Sequence, residues 1–209
     1  MKIICIGSDR SIYKNNIENN LSEETGTESE IPLIYFKPDS ALLSNNKPFF
    51  IPDFSTEIYS EVKLVIKINR LGKNIAGRFA ARYYDEISVG IDLSAMDIRK
   101  KLVSNNYPWE LSTAFDNSAI VGNFITKDTL LQNSKSILML KNDQKCEIDL
   151  GNDIISRIDE TIAFLSTFFT LKIGDLIFLD IGSDKEKIAI NDVLKGQIAD
   201  KELLSVHIL

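Results

Sequence analysis

Glu61 and Lys63 stand two residues apart in the run Glu61-Val-Lys-Leu-Val-Ile-Lys-Ile68. The run alternates. Val62, Leu64, Ile66 and Ile68 share one face, and Glu61, Lys63, Val65 and Lys67 share the other, as in a strand with one face on a core. Residues two apart on a strand have Cα atoms about 6.5–7 Å apart, so the tips of these two side chains can meet. A second apolar run, Ser88-Val-Gly-Ile-Asp92-Leu93, carries a carboxylate near its end. A carboxylate there is costly to bury unless it is paired or bound to a cation. Glu61, Lys63 and Asp92 are therefore the first candidates for chemistry. The plainer alternative is a set of charges solvated at strand ends.

Several further elements must position them. Residues 2–6 read as a first strand, and residues 31–68 as strand-rich, punctuated by Pro32, Pro38, Pro48 and Pro52. Residues 75–87 predict a helix, with Phe79, Tyr83, Tyr84 and Ile87 at helical spacing. A second helix follows Asp92 as far as about Val103. The clearest helix covers 153–169, where Ile154, Ile155, Ile158, Ile162, Leu165 and Phe169 form one apolar stripe behind Asn152 or Asp153 as N-cap. Gly174-Asp175 is a turn, Leu176–Leu179 a buried strand, and 187–209 supply one or two more strands. Residues 14–30 are almost wholly polar and read as a mobile loop, either a lid over a site or a solvated insertion. No repeat or linker divides the chain. A single α+β, β-rich domain over 1–209 is the simplest architecture.

Composition removes several functions. Of 209 residues, 24 are Lys or Arg and 30 are Asp or Glu, a net charge of −6. Nothing in that balance favours nucleic acid. No apolar run reaches the roughly 20 residues of a membrane span, and the opening residues read as a strand and not a leader, so a cytoplasmic protein is expected. Cys5 and Cys146 form no CxxC pair, which argues against a disulfide framework or a thiolate metal site. His207 is the one histidine; its apolar neighbours place it on an edge or surface strand. Glycine-rich phosphate loops and the nucleophile elbow are absent. Trp109, after Pro108, reads as a packing anchor.

Six separated blocks then fall in one register. They are Phe36-Lys-Pro-Asp-Ser-Ala-Leu-Leu43, Ile51-Pro-Asp-Phe-Ser55, the strand from Glu61 through Ile75, Tyr84 through Asp97, Pro108-Trp109 through Phe115-Asp116, and Leu171 through Phe178. In order and spacing the chain resembles the fumarylacetoacetate hydrolase family over nearly its whole length. The resemblance implies that family's mixed β-roll or sandwich with a few flanking helices, a homodimer, and a small 2-oxo or β-diketo acid as substrate. It also implies Mg²⁺ or Mn²⁺ held by three carboxylates as a Lewis acid.

Compared position by position, the scaffold blocks agree with the family and the chemical positions depart from it. Glu61 and Asp92 match two of the metal ligands, but the third position holds Lys63. The family's lid acid–base pair falls on Tyr13 and Asn16, and its active-site lysine on Thr113. Its substrate-facing arginine and glutamine fall on Met96 and Arg99. The late loop whose backbone approaches the substrate begins at Ile181, and Lys37 lies in a scaffold block beside the pocket, where it could attract an anion. The resemblance thus implies a pocket of Lys37, Met96, Arg99 and Ile181 around remnant ligands. Three carboxylates about a dication carry the same net charge as two carboxylates about an ammonium. The expectation is therefore a Glu61–Lys63–Asp92 ion cluster with no cofactor, and a weak or inactive protein that binds a small organic acid. The alternative is a working Mg²⁺- or Mn²⁺-dependent hydrolase, decarboxylase or isomerase of acylpyruvate-type or dienedioate substrates.

Overall fold

The computed structural model describes residues 1–7, 32–44, 46–132 and 135–209. The polar 14–30 segment, with Tyr13 and Asn16, lies outside the described residues.

The first four strands are β1 (Ile3–Gly7), β2 (Leu33–Lys37), β3 (Leu42–Leu43) and β4 (Ile58–Ile68). A single helical turn, α1 (Gly77–Ala80), precedes β5 (Tyr84–Ala95) and α2 (Met96–Ser104). Then come β6 (Ala119–Val121), β7 (Ile125–Thr126), α3 (Asp128–Gln132) and the hairpin β8 (Ser136–Lys141) and β9 (Gln144–Asp149). The chain continues through α4 (Ile154–Phe168), β10 (Leu176–Asp180), β11 (Glu186–Lys187), β12 (Val193–Ile198) and β13 (Lys201–His207).

The larger sheet runs β2-β1-β10-β4-β5-β6-β3, with β11 added to β4 and β7 to β5. It is mixed, because β1 lies parallel to β10 and β3 parallel to β6 while its other pairings are antiparallel. The smaller sheet, β13-β12-β8-β9, is antiparallel throughout. Strand alternation divides the apolar residues between two cores. Ile4, Leu64, Ile66, Val89 and Ile91 join the large core with the smaller sheet and α4. Ile3, Cys5, Val65 and Phe178 point the other way into a small core. Strands covered on both faces have the near-continuous apolar sequence seen in β1.

The helix expected over 153–169 forms with its predicted face inward: Ile154, Ile158, Ile162 and Leu165 are fully buried, each worth about 1.5–3 kcal/mol of apolar burial. Asp153 takes the N-cap position without a side-chain hydrogen bond. The helix expected over 75–87 is corrected. Only Gly77–Ala80 is helical, and Tyr84 and Ile87 are buried because they belong to β5, opposite Ile68 and Ile66 of β4. The three-residue spacing of Tyr84 and Ile87 imitates a helix, and a β-bulge in the pairing between Lys67 and Ile68 turns both side chains to the same core. The β8–β9 hairpin was not anticipated. Among the described residues no helix is long and apolar enough to cross a membrane.

Candidate functional site

Cross-strand register brings the candidate residues together on the small-core side of the larger sheet. Glu61 of β4 lies directly opposite Asp92 of β5, and Lys63 lies opposite both Gly90 of β5 and Asp180 of β10. Like charges facing each other across an antiparallel ladder are destabilising. Two buried lysines offset them. Lys63 Nζ is 2.6 Å from Glu61 Oε1 and 3.1 Å from Asp180 Oδ1. Lys37 Nζ is 2.7 Å from Asp92 Oδ1.

The expected cluster is therefore corrected in its wiring. Lys63 pairs with Glu61 as expected, but its second contact is Asp180, and Asp92 is paired by Lys37. Register sets Asp180 of β10 opposite Lys63, while Asp92 of β5 is met by Lys37 from the end of β2. Lys37 consequently points inward. It donates to the carbonyls of Leu93 and Ser118, both at 2.9 Å. Its contact with Asp92 Oδ1 is an ion pair out of line for a hydrogen bond. Tyr35 donates to the other oxygen, Asp92 Oδ2, and Lys185 Nζ lies 3.9 Å from Glu61 Oε2.

Protonation states follow from these surroundings. Burial works against the Lys63 ammonium, but the charges of Glu61 and Asp180 and the hydrogen bond to Glu61 hold its pKa above the ordinary lysine value. A protonated amine is not a nucleophile, so Schiff-base chemistry at Lys63 is disfavoured. Burial, followed by the negative charge of Asp92, pushes the Tyr35 hydroxyl and the Cys5 thiol well up. Tyr35 is thus a fixed hydrogen-bond donor, and Cys5 a neutral core residue. Gly90 is required by close approach: a Cβ there would lie 2.4 Å from Val65 Cγ2 and 2.9 Å from Phe178 Cε1.

The remaining predicted positions separate. Thr113 is buried; its amide donates to the Glu110 carbonyl at 3.0 Å, closing a 3-10 turn, and its hydroxyl donates to the same carbonyl at 3.2 Å. Met96 begins α2, its sulfur 3.7 Å from Ser94 Oγ. Arg99, one turn on, is 4 % exposed and lies over the ring of Trp109, 4.6 Å from its centroid. Trp109 in turn meets the Tyr35 ring edge-on at 5.2 Å. Arg99 thus lies beside this aromatic pair, whereas Lys37 lies over the ring of Phe115, 5.9 Å from its centroid. Ile181 does not join them. It lines a groove of about 480 Å³ with Ser60, Val62 and Met139, and Ser60 and Val62 occupy the opposite face of β4 from Glu61 and Lys63. The late loop is fastened to β4 by Ser183, whose hydroxyl accepts from Val62 N–H and donates to Val62 C=O, each at 2.9 Å. His207 is exposed on β13, at the edge of the smaller sheet.

Asp180 and Tyr35 were missed from the sequence. Asp180 ends the apolar run Leu176–Leu179 with a carboxylate, the same signal that marked Asp92. Tyr35 carried no signal of its own. Among the described residues, no group of three or more His, Cys, Asp or Glu is arranged to hold a metal ion. Each of the two facing carboxylates is paired with a lysine ammonium.

Comparison with known proteins agrees with this architecture. The chain is 28% identical over 179 residues to the oxaloacetate tautomerase YcgM of Escherichia coli (strain K12), covering 84% of this chain and 78% of that protein. It is 32% identical over 187 residues to a fumarylacetoacetate hydrolase domain-containing protein 2 homolog of Dictyostelium discoideum, covering 85% of this chain and 58% of that protein. The crystal structure of fumarylpyruvate hydrolase from Pseudomonas aeruginosa, in complex with Mn²⁺ and pyruvate, superposes with a TM-score of 0.77 at 23% identity, covering 100% of this chain and 89% of that one. Residues 2–183 match the family described as fumarylacetoacetate (FAA) hydrolase C-terminal, and with the mixed sheet and six aligned blocks already in place, the chain belongs to the fumarylacetoacetate hydrolase family.

Proposed function

We propose that this chain keeps the family scaffold without its metal chemistry, binding a small 2-oxo or related organic acid and turning it over weakly or not at all. The observation that carries this reading is the Lys63 ammonium, 2.6 Å from Glu61 and 3.1 Å from Asp180. A dication about 4 Å from that ammonium would be repelled by roughly 8 kcal/mol at an effective dielectric near 20. Mg²⁺ also gives up its water reluctantly and needs several oxygen ligands. Without a Lewis acid, several kcal/mol of enolate stabilisation are lost. A homodimer is the assembly the family likeness implies.

A second reading, a working Mg²⁺- or Mn²⁺-dependent enzyme with a rearranged site, is favoured by the relatives: one is named an oxaloacetate tautomerase, and another was solved with Mn²⁺ and pyruvate. Titration with Mn²⁺, followed by electron paramagnetic resonance, separates the two. The wild-type chain is expected to leave Mn²⁺ free into the millimolar range, and Lys63→Glu to bind it. Oxaloacetate tautomerisation and acylpyruvate cleavage are expected below about 1 s⁻¹, the low edge of ordinary enzymes. One tightly bound Mn²⁺ per wild-type chain would establish the second reading instead.

A further inference from the structure

The two edges of the smaller sheet are treated differently. Along β13 the carbonyls of Leu203 and His207 accept from the amides of Asn123 and Phe49 at 2.7 and 2.9 Å, and the Ser205 amide donates to Asn46 Oδ1 at 3.1 Å. At the other edge β9 pairs with β8 alone among the described residues. The turn fixes the phase of that pairing. Asn142 and Asp143 have positive φ, 50° and 68°, as a two-residue hairpin turn requires, so Lys141 and Gln144 close the ladder as a hydrogen-bonded pair. Cys146 and Ile148 follow in the same phase, and so does Leu150, whose amide donates to the Lys135 carbonyl at 2.7 Å. The amides and carbonyls of Lys145 and Glu147 therefore point away from β8, and no backbone group meets them among the described residues.

Such an outward row of donors and acceptors is a template for another strand. Charge selects which strand. Lys145 and Glu147 carry opposite charges two residues apart, a pattern that is complementary to itself when one copy is turned against another. In an antiparallel pair of β9 edges, a two-fold axis through Lys145, Glu147 or Ile148 sets like charges opposite each other, which is destabilising. An axis through Cys146 sets Lys145 opposite Glu147 of the second copy, and Glu147 opposite its Lys145. Residues 144–148 of the two strands then overlap, and Asp149 passes beyond them. We infer that the β9 edges of two copies of this chain join about Cys146, so that their smaller sheets form one continuous antiparallel sheet. The groove of about 480 Å³ between β9 and the late loop at Gly182, Ser183 and Asp184 leaves room beside the edge. The inference rests on the homodimer reading above and places its interface; it is independent of the metal and of the small acid.

Cys146 reports the contact. On the axis the two Cys146 residues form a non-hydrogen-bonded pair with Cα atoms about 4.5 Å apart, within the span of a disulfide; Cys146 is exposed, whereas Cys5 is buried. The full chain is treated with diamide, a diazene that is reduced to the hydrazine by the electrons and protons the two thiols give up as the disulfide forms. Non-reducing gels follow the linked dimer, and mass spectrometry of its peptides locates the bond. The wild type is expected to link Cys146 to Cys146. Lys145→Glu and Glu147→Lys, both at exposed positions, each set like charges across the axis and should slow linking by about tenfold or more. An effect on the thiol alone would instead speed Glu147→Lys, because added positive charge favours the thiolate. The double variant Lys145→Glu/Glu147→Lys exchanges the charges and keeps them complementary, so it should link at the wild-type rate. Glu147 also accepts from the Ser136 hydroxyl at 2.7 Å, so Lys145→Glu is the single change that leaves this hairpin contact intact. In Cys146→Ser, analytical ultracentrifugation should still show self-association, weakened by about the same factor when Lys145→Glu is added. Linking as fast in both single variants as in the wild type, a double variant as slow as the single ones, or no Cys146–Cys146 bond in the wild type overturns the inference. A chain that stays dimeric in Lys145→Glu without that bond is a homodimer built on another face, and overturns this contact alone.

Discussion

Lys37 and Lys63 answer the two facing carboxylates separately, and their surroundings predict different costs of removal. Lys37 is fully buried, and Asp92, at 3 % side-chain exposure, keeps the Tyr35 hydroxyl as its side-chain hydrogen-bond donor among the described residues when the ammonium is lost. Removing one partner of a buried ion pair strands the other charge and costs about 3–5 kcal/mol. Lys63 leaves its partners better placed. Asp180 has 21 % side-chain exposure, so water reaches it, and Glu61 retains Lys185 at 3.9 Å. Lys37→Met is therefore expected to destabilise the fold by about 3–5 kcal/mol, and Lys63→Met by less. Urea unfolding with matched slopes measures both. The reverse ranking would show that Glu61, and not Asp92, is the carboxylate most dependent on its lysine.

Among the elements, the β4–β5 ladder does most to build the site, and Gly90 is its tightest point. Gly90→Ala would push a methyl into Val65 and Phe178, at 2.4 and 2.9 Å. Overpacking of this kind costs about 1–3 kcal/mol, which for a chain of this size lowers the melting temperature by about 2–12 °C; differential scanning calorimetry reads it directly. An unchanged melting temperature would mean that Phe178 swings aside without cost. The ladder also marks how far the sequence could be read. β4 was legible because its alternation is strict, and α4 because its stripe spans four turns. The segment 75–87 was not, since the three-residue spacing of Tyr84 and Ile87 is helical, and both reach the core from β5 only because the pairing slips at a β-bulge between Lys67 and Ile68. The site follows the same division. Glu61 and Lys63 lie on one strand, so their contact is local and was readable. The Lys63–Asp180 and Lys37–Asp92 pairs join residues 117 and 55 positions apart; strand order makes the first pair neighbours on β4 and β10, but three strands lie between β2 and β5, so the second pair meets only through the fold as a whole.

Across the whole molecule, acid should act through carboxylates that clasp distant segments. Asp97 at the start of α2 accepts from the Ser55 hydroxyl at 2.6 Å and from the Thr56 amide at 3.0 Å, holding the approach to β4. Asp192 accepts from the Asn142 side chain at 2.6 Å and from the Ala189 amide at 2.9 Å, joining the β8–β9 turn to the segment that enters β12. Burial alone would raise both pKa values, but these hydrogen bonds, with Lys141 beside Asp192, hold them below the ordinary aspartate value. The unfolded chain therefore takes up these protons first as pH falls. Their stabilisation is fully present above the ordinary carboxylate range and is lost as pH drops through the lowered folded values. Asp159 runs the other way: burial outweighs its hydrogen bond from Tyr84 and raises its pKa, so it offsets part of the loss. The melting temperature should stay nearly level from about pH 7 to about pH 5 and fall below about pH 4. Asp97→Asn removes one charge-assisted clasp, so it should melt lower than the wild type at neutral pH and converge on it at about pH 3. Parallel curves for the two proteins across that range would show that the hydroxyl and amide of 55–56 hold a neutral side chain as well as a charged one.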